Sequence, residues 1–184
     1  MLEPTEIDPR GYWLNENCWS PEDLDVPMAT ALLAVFGFGE TVSDMGCGGG
    51  AYVDFLRKHR RPAFGYDGDP HTASLPNCAV CDLSIPINLP VRDWVLCLET
   101  AEHIPAEFEA VFMSNLDRHN RKGIVISWAR PGQGGYGHFN ERGLDYVRGL
   151  FSRLGYSEDS PHSTIIAQLA TLPYYKDNTL VFRR

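Results

Sequence analysis

The sequence has no long hydrophobic run, and its basic residues are outnumbered by acidic ones. The longest apolar stretch lies between Pro27 and Gly39 and is too short to cross a bilayer. Only 16 Lys and Arg residues stand against 24 Asp and Glu residues, which gives a formal net charge of −8. Because neutralising phosphates supplies much of the affinity for nucleic acids, this balance disfavours a nucleic-acid partner. We therefore expect neither a membrane span nor a nucleic-acid binder.

The cysteines form no pairing framework, and the sequence starts without a targeting signal. There are five cysteines, an odd number: Cys18, Cys47, Cys78, Cys81 and Cys97. This pattern suits a reducing compartment, and the polar start MLEPTEIDPR resembles neither a secretory signal nor a transit peptide. We expect a soluble, cytoplasmic protein. The spacing Cys78-x-x-Cys81 has no second pair, so we interpret it as structural and predict no metal site.

Predicted strands alternate with predicted helices along the whole chain. The strands are expected at 41–46, 62–67, 77–82, 93–99, 123–129 and 179–184, and the helices at 26–37, 51–59, 105–118, 140–155 and 163–171. This alternation indicates one α/β domain over residues 1–184, with a parallel sheet covered on both faces. Residues 1–25, with Tyr12, Trp13 and Trp19, form an arm that either packs on the sheet or acts as a lid.

Ligands of such sheets bind at the carboxyl ends of the strands, beside the point where the strand order reverses. Four segments follow predicted strands and should meet on that rim: 44–50, 66–69, 81–83 and 99–105. The glycine-rich loop 131–140 should join them.

A glycine-rich loop lies between the first predicted strand and the next helix. It contains Gly46, Gly48, Gly49 and Gly50 and satisfies the pattern G-x-G-x-x-G/A. Alone it could be merely a tight turn. Asp67, about 20 residues further on at the end of the next strand, can accept hydrogen bonds from the ribose hydroxyls of a nucleoside.

Asp44, just before the first glycine, distinguishes between nucleoside ligands. A pyrophosphate would sit at this helix N-terminus. A carboxylate within about 5 Å would oppose it by roughly 3 kcal/mol at an effective dielectric constant of about 20. Asp44 therefore favours a ligand that has cationic groups and no phosphate. Its alternative role is structural, holding the amides of the loop.

At this point the sequence resembles a known family. DMGCGGGAY is similar to the first motif of class I S-adenosylmethionine-dependent methyltransferases, and GYDGDP, CDLS and LETAEHIP follow in the family's order. The resemblance implies a Rossmann-like fold with a mostly parallel central sheet, helices on both faces and a final antiparallel strand. It also implies S-adenosylmethionine as the cofactor and S-adenosylhomocysteine as the product.

The resemblance places nine residues of this sequence against the cofactor. They are Asp44, Gly46, Cys47 and Gly48 at the methionine part, Asp67 at the ribose, Gly68 near the adenosine, Asp82 and Leu83 at the adenine, and Glu99 beside the methionine amino group or the transferred methyl.

The acceptor side offers several candidate bases. Methyl transfer needs a base only when the acceptor keeps its proton at neutral pH. The candidate catalytic residues are Glu99, His103 and His138, with Glu102 as a weaker choice. Two of these residues also have non-catalytic interpretations: His103 packs or caps a helix, and Glu102 is a helix-start or surface charge. In the glycine loop around His138, Asn140 could simply cap the following helix.

The sequence thus predicts a methyltransferase acting on an O or N atom of a small molecule, sugar or protein side chain. The [Asn/Asp/Ser]-Pro-Pro-[Tyr/Phe] motif of amino-methyltransferases acting on nucleic-acid bases is absent. A catalytically silent binding subunit of the same fold is one alternative. An NAD-dependent oxidoreductase is another, and both Asp44 and the lack of a Tyr-x-x-x-Lys pair disfavour it. The oligomeric state is left open.

Overall fold

The computed structural model describes residues 6–14 and 24–184 of the chain. Within these ranges the strands are β1 (Val42–Met45), β2 (Ala63–Asp67), β3 (Cys78–Val80), β4 (Arg92–Cys97), β5 (Asn120–Ser127), β6 (Ser157–Glu158) and β7 (Thr179–Arg183). They form one sheet in the order β3-β2-β1-β4-β5-β7-β6. β1 to β5 are parallel, whereas β7 is antiparallel to both β5 and β6. The mostly parallel sheet with a final antiparallel strand is confirmed, and β6 is an addition that the sequence did not reveal.

The helices of the described ranges are α1 (Val26–Val35), α2 (Ala51–Lys58), α3 (Glu109–Arg118), α4 (Leu144–Arg153), α5 (Ser160–Leu169) and α6 (Pro173–Lys176). Two short 3-10 helices, Pro70–Ser74 and Ala106–Phe108, precede β3 and α3. The expected helix over 105–118 is thus a 3-10 turn followed by α3. None of the helices in these ranges is long and apolar enough to cross a membrane.

Helices cover both faces of the sheet, as predicted. The side chains of β5 alternate between two buried clusters: Val125 packs with α1, α2 and α5, whereas Ile124 and Ile126 pack with α3 and α4. Because both faces are buried, the central strands are apolar almost throughout. The carboxyl ends of the parallel strands stay open and carry the site.

Asp25 connects the start of the fold to its C-terminal part. Its carboxylate accepts a hydrogen bond from the Met28 amide at 3.0 Å and so caps α1. The same carboxylate accepts bonds from the amides of Thr171 and Leu172, at 2.6 and 2.8 Å. Since these two residues lie just before α6, Asp25 fixes where α6 begins.

The helix expected over 140–155 starts later than predicted, and the capping role considered for Asn140 is wrong. Gly143 stands at the N-cap of α4. The Asn140 side chain instead donates from Nδ2 to Oε2 of Glu109 on α3 at 3.0 Å. The backbone carbonyl of Asn140 accepts a hydrogen bond from the Trp128 indole at 2.6 Å. These bonds hold the backbone at Asn140 against the sheet, so α4 begins only at Leu144.

Candidate functional site

The carboxyl ends of the parallel strands open into a cavity of about 1080 Å³. Each of the five rim segments predicted from the sequence contributes lining residues, as do the N-terminal segment 11–13 and α6. All of the site residues predicted from the sequence line this cavity: Asp44, Gly46, Cys47, Gly48, Asp67, Gly68, Asp82, Leu83, Glu99, His103 and His138. Folding thus brings the predicted set together in one place.

The glycine loop leaves β1 through a backbone turn that only glycine tolerates well. Gly46 has φ +87°, and a Cβ atom there would lie 2.0 Å from Thr100 Oγ1. The amides of Gly46 and Cys47 donate to the carbonyl of Tyr66, at 2.7 and 3.2 Å. Gly50, with φ +75°, then starts α2. The loop is therefore anchored to the end of β2 and keeps its backbone close to the cavity.

Asp67, at the end of β2, links the glycine loop to the following segment. Its Oδ2 accepts from the Gly48 amide at 2.9 Å, and its Oδ1 accepts from the Asp69 amide at 3.0 Å. Burial raises the pKa of Asp67, and the two amide bonds partly oppose that rise. Each oxygen keeps a second lone pair, so the carboxylate can still accept hydrogen bonds from a ligand.

Asp44 is buried on β1 and has no hydrogen-bond donor among the described residues. The loop amides bind Tyr66 and Asp67 instead, so the structural role considered for Asp44 is not seen. Burial raises the pKa of Asp44 well above its usual value, and the neighbouring Cys78 and Asp67 raise it further. A cationic group placed beside it would favour the ionised form.

Glu99 follows β4 in a strained conformation, with φ +45° at a non-glycine residue. Strain of this kind often marks functional sites. The carboxylate accepts from Asn178 Nδ2 at 3.0 Å and from Gln133 Nε2 at 3.2 Å, while the Glu99 amide donates to Ser127 Oγ at 2.7 Å. Burial raises the pKa of Glu99. The Glu99 carboxylate is therefore held in one orientation at the cavity wall.

Glu102 is not the surface charge that the sequence suggested, because its side chain is fully buried. Neither carboxylate oxygen accepts a well-formed hydrogen bond from a donor group of the described residues, but the Glu99 carboxylate is close enough to share a proton with Glu102. Burial raises the pKa of Glu102 well above its usual value, and the charge of Glu99 adds to the rise. An ionised Glu102 carboxylate would cost folding free energy at this buried position unless a partner stabilised its charge.

His103 and His138 meet edge to face at the end of the cavity beyond Glu99, with ring centroids 5.0 Å apart. His103 Nδ1 lies 3.0 Å from the Gly137 carbonyl, which can only accept, so this nitrogen carries the proton. His103 therefore does not cap the following 3-10 helix, whereas its ring does pack, against Trp13 and His138. Burial, followed by the neighbouring His138, lowers the pKa of His103 to about 4.

His138 is positioned by Glu141, which the sequence analysis did not single out. The Nδ1 atom of His138 lies 3.2 Å from Glu141 Oε1. The Glu141 carboxylate is itself held by the amides of Gly132 and Gly134, at 2.7 and 2.8 Å. The His-x-x-Glu spacing was the available signal for this pair.

The N-terminal segment lies across the cavity from end to end. A Cβ atom on Gly68 would lie 2.4 Å from Tyr12 Cγ, so the tyrosine ring packs directly on that glycine. Arg10 pairs with Asp82 Oδ2 at 2.6 Å. At the other end Trp13 contacts His103, with ring centroids 5.4 Å apart. Trp19, considered for the same lid, lies outside the described residues.

Asp82 has partners of its own within the protein. Besides Arg10, its Oδ1 accepts from the amide and the hydroxyl of Ser84, at 2.8 and 2.6 Å. The contact predicted between Asp82 and an adenine amine therefore has to share this carboxylate with Ser84 and Arg10.

The C-terminal wall of the cavity was missed by the sequence analysis. Pro173, Tyr174 and Tyr175 of α6 line it. α6 spans only four residues, too few for a hydrophobic period to show. The adjacent tyrosines after a proline were the only available signal.

Comparison with solved structures shows what this architecture is similar to. Magnesium protoporphyrin IX methyltransferase (ChlM) from Synechocystis PCC 6803, with bound SAH, has a TM-score of 0.68 and 17% identity over 89% of this chain and 83% of that chain. CalS10, a SAM-bound amino pentose methyltransferase from Micromonospora echinaspora, has a TM-score of 0.63 and 15% identity over 91% and 93%. The N-methyltransferase NodS from Bradyrhizobium japonicum WM9, in complex with SAH, has a TM-score of 0.60 and 14% identity over 89% and 86%. No protein-family profile matches the sequence, and no curated protein matches it significantly. Identity this low establishes the shared fold alone.

Proposed function

We propose that this chain, which has the Rossmann-like class I methyltransferase fold, binds S-adenosylmethionine and transfers a methyl group to an oxygen or nitrogen atom of an acceptor. The observation that carries the proposal is Asp44: a buried carboxylate that lines the cavity beside the glycine loop and has no hydrogen-bond donor in residues 6–14 and 24–184. A cationic amino-acid group would supply the missing partner. The solved structures of this fold that contain SAM or SAH support the choice.

A dinucleotide fits the same loop poorly. Its pyrophosphate would lie at the start of α2, close to Asp44. The ion pairs of the described residues include no Lys or Arg partner for Asp44. Two like charges about 5 Å apart repel by roughly 3 kcal/mol at an effective dielectric constant of about 20. NAD is therefore the disfavoured ligand.

The remaining contacts with the nucleoside follow from the lining residues. Asp67 would accept hydrogen bonds from the ribose hydroxyls through its free lone pairs. The close approach of Tyr12 to Gly68 supports a role for Tyr12 as cover over the adenosine. Leu83, together with Asp82, would lie at the adenine, and the amide-held carboxylate of Glu99 would face the methionine part.

Besides the residues assigned to the cofactor, His103 and His138 line the same cavity, and we assign them to the acceptor. This favours an enzyme over a silent binding subunit. S-adenosylmethionine, when bound, would supply a methyl group on a cationic sulfur. The chain's task is then to align the acceptor and to take the O–H or N–H proton that the acceptor loses as the new bond to carbon forms. His103 and His138 keep their Nε2 lone pairs available for that proton, and Glu99 is the third candidate.

The lining of the cavity indicates the broad chemical class of the acceptor. The wall around the two histidines also includes Trp13, Tyr136 and Gln133, which suits a flat or sugar-sized group with polar edges. A small molecule, a sugar or a protein side chain that reaches into the cavity is the proposed acceptor.

The proposal is tested by replacing the carboxylate that carries it. Asp44→Asn keeps the side-chain size but removes the negative charge, whereas Asp145→Asn changes a fully exposed carboxylate. By calorimetry we expect Asp44→Asn to weaken adenosylhomocysteine binding by about 10- to 100-fold, because a hydrogen bond to a charged group contributes about 1.5–3 kcal/mol. The control should bind as the wild type does. Equal affinities of all three proteins would refute the role of Asp44.

Turnover needs its own test. Incubation with methyl-labelled S-adenosylmethionine and a panel of hydroxyl and amine acceptors should release adenosylhomocysteine. Tight binding of the cofactor without transfer to any acceptor would instead favour the silent binding subunit.

A further inference from the structure

Three side chains at the far end of the cavity bring metal-ligand atoms together: Glu102, His103 and His138. One potential ligand atom from each lies within 4.8 Å of the other two. Glu102 and His103 follow β4, whereas His138 belongs to the glycine-rich loop after β5, so folding alone creates this proximity. No spacing in the sequence indicated this cluster, because the metal-like pair considered there was Cys78-x-x-Cys81.

Both imidazoles are arranged as metal-binding histidines usually are. His103 Nδ1 donates to the Gly137 carbonyl, and His138 Nδ1 lies against the Glu141 carboxylate. Metal-ligating histidines typically use one ring nitrogen for such an outer partner, which fixes the tautomer and leaves the other nitrogen for the metal. The Nε2 atoms of His103 and His138 have no hydrogen-bond partner among the described residues.

Glu102 supplies the second, independent indication. Its carboxyl group is fully buried, and neither oxygen accepts a well-formed hydrogen bond from a donor group of the described residues. Its partner there is the neighbouring Glu99 carboxylate, with which it can pair only by keeping a proton that a bound cation would replace. Buried charges in proteins are normally paired or coordinate metals. No Lys or Arg of the described residues pairs with Glu102, so a bound cation would satisfy it.

We propose that Glu102, His103 and His138 bind a divalent transition-metal ion of the zinc class at the acceptor end of the cavity. In a tetrahedral zinc site the ligand atoms lie about 3.4 Å apart, given metal–ligand bonds of about 2.0–2.1 Å. Since the ligand atoms now lie within 4.8 Å of one another, they must close up by as much as about 1.4 Å. Rotation of the three side chains about their χ angles would supply this movement.

The cluster has an open side, and that side faces the acceptor. His103 and His138 line the cavity, whereas Glu102 lies behind them. Two histidines and one carboxylate leave a fourth position for water or substrate in zinc sites. The cation would then orient an oxygen or nitrogen of the acceptor. Because the metal would use both Nε2 lone pairs, Glu99 rather than either histidine would take the acceptor's proton when the metal is bound. Two nitrogen ligands favour zinc over magnesium, which prefers oxygen ligands and retained water.

The role in holding an acceptor rests on the proposed methyltransferase function, but cation binding itself does not. The two can therefore fail separately. Zinc titration of the cofactor-free protein tests the metal site, and adenosylhomocysteine titration of the zinc-free protein tests the cofactor site.

The experiment compares three full-length proteins after removal of metals with a chelator. The wild type and His59→Asn should bind one Zn²⁺ per chain by calorimetry, because His59 is an exposed residue at the end of α2. His138→Asn should bind Zn²⁺ roughly 100-fold more weakly, since even outer-shell changes cost about 10- to 100-fold. Magnesium should bind the wild type much more weakly than zinc.

A second variant and a second readout keep the result interpretable. Glu102→Gln, checked for folding by circular dichroism, should lose zinc as His138→Asn does. Bound Co²⁺ should show the visible absorption of a tetrahedral site in the wild type and not in either variant. Absence of zinc binding, or equal zinc affinities of the wild type and His138→Asn, would overturn the metal site. Magnesium binding as tight as zinc would overturn the choice of metal class.

Discussion

Replacing Asp25 by Asn tests how the cavity wall at α6 is held in place. The carboxylate is buried and accepts three backbone hydrogen bonds: Oδ1 from Met28, and Oδ2 from Thr171 and Leu172. In Asp25→Asn the single oxygen can still face Thr171 and Leu172, but the new NH₂ group then faces the Met28 amide. One helix cap is lost outright, and the other two bonds lose their charged acceptor.

The expected loss of stability follows from these contacts. Loss of a helix N-cap costs about 1 kcal/mol. Bonds to a charged acceptor are about twice as strong as neutral ones, so each of the other two should lose about 1 kcal/mol. The free energy of unfolding should therefore fall by about 3 kcal/mol. For a domain of this size, the midpoint of thermal unfolding should fall by about 6–12 °C.

The effect should also depend on pH in a defined direction. Burial raises the pKa of Asp25, but the amide bonds from Leu172, Met28 and Thr171 outweigh it, so the folded-state pKa lies below 3.8. A depressed carboxyl pKa adds stability above the unfolded value of about 3.9, and this stability is lost as the pH falls through the lower folded value. The difference between the wild type and Asp25→Asn should be constant near neutral pH and shrink in acid.

The assay is urea unfolding followed by circular dichroism from neutral pH down into the acid range, with Asp145→Asn as the control. Asp145 is fully exposed and pairs only with Arg148, so its replacement should change the unfolding free energy by less than about 0.5 kcal/mol. If Asp25→Asn behaves like this control, or if its deficit persists unchanged in acid, the reasoning about the cap is refuted.

Two further predictions concern the cavity. Gly68→Ala places a methyl group where the Tyr12 ring packs, so the N-terminal segment should lift and trypsin should cleave after Arg10 faster than in the wild type; unchanged cleavage would contradict this packing. In alkylation with iodoacetamide followed by peptide mass spectrometry, Cys78 should react at lower pH than Cys81. The hydrogen bond with Cys47 lowers the pKa of Cys78, whereas burial raises that of Cys81 to about 11; earlier modification of Cys81 would refute the assignment.

Much of the cavity around the glycine loop could be predicted from the sequence because its determinants are local. The glycines after β1 turn the chain through positive φ at Gly46, and Asp67 ends the next strand, so their meeting follows from a parallel sheet. The strand and helix pattern likewise predicted the layers, and the resemblance added the antiparallel last strand.

Other parts of the site depend on long-range contacts that no local pattern encodes. Asn140 looked like a helix cap because it precedes an amphipathic stretch, but Glu109 from another helix captures its side chain. Glu102 looked like a helix-start charge, yet the turn after β4 buries it completely. Arg10 reaches Asp82 across the cavity through a segment whose sequence has no periodicity.

The most direct test of the central claim is a side-by-side calorimetric titration of the wild-type protein with adenosylhomocysteine and with NAD. The buried carboxylate of Asp44, which has no donor in the described part of the chain, predicts one-to-one binding of adenosylhomocysteine and no detectable binding of NAD. Binding of NAD without adenosylhomocysteine would contradict the account, because the cavity would then accept a pyrophosphate beside that carboxylate.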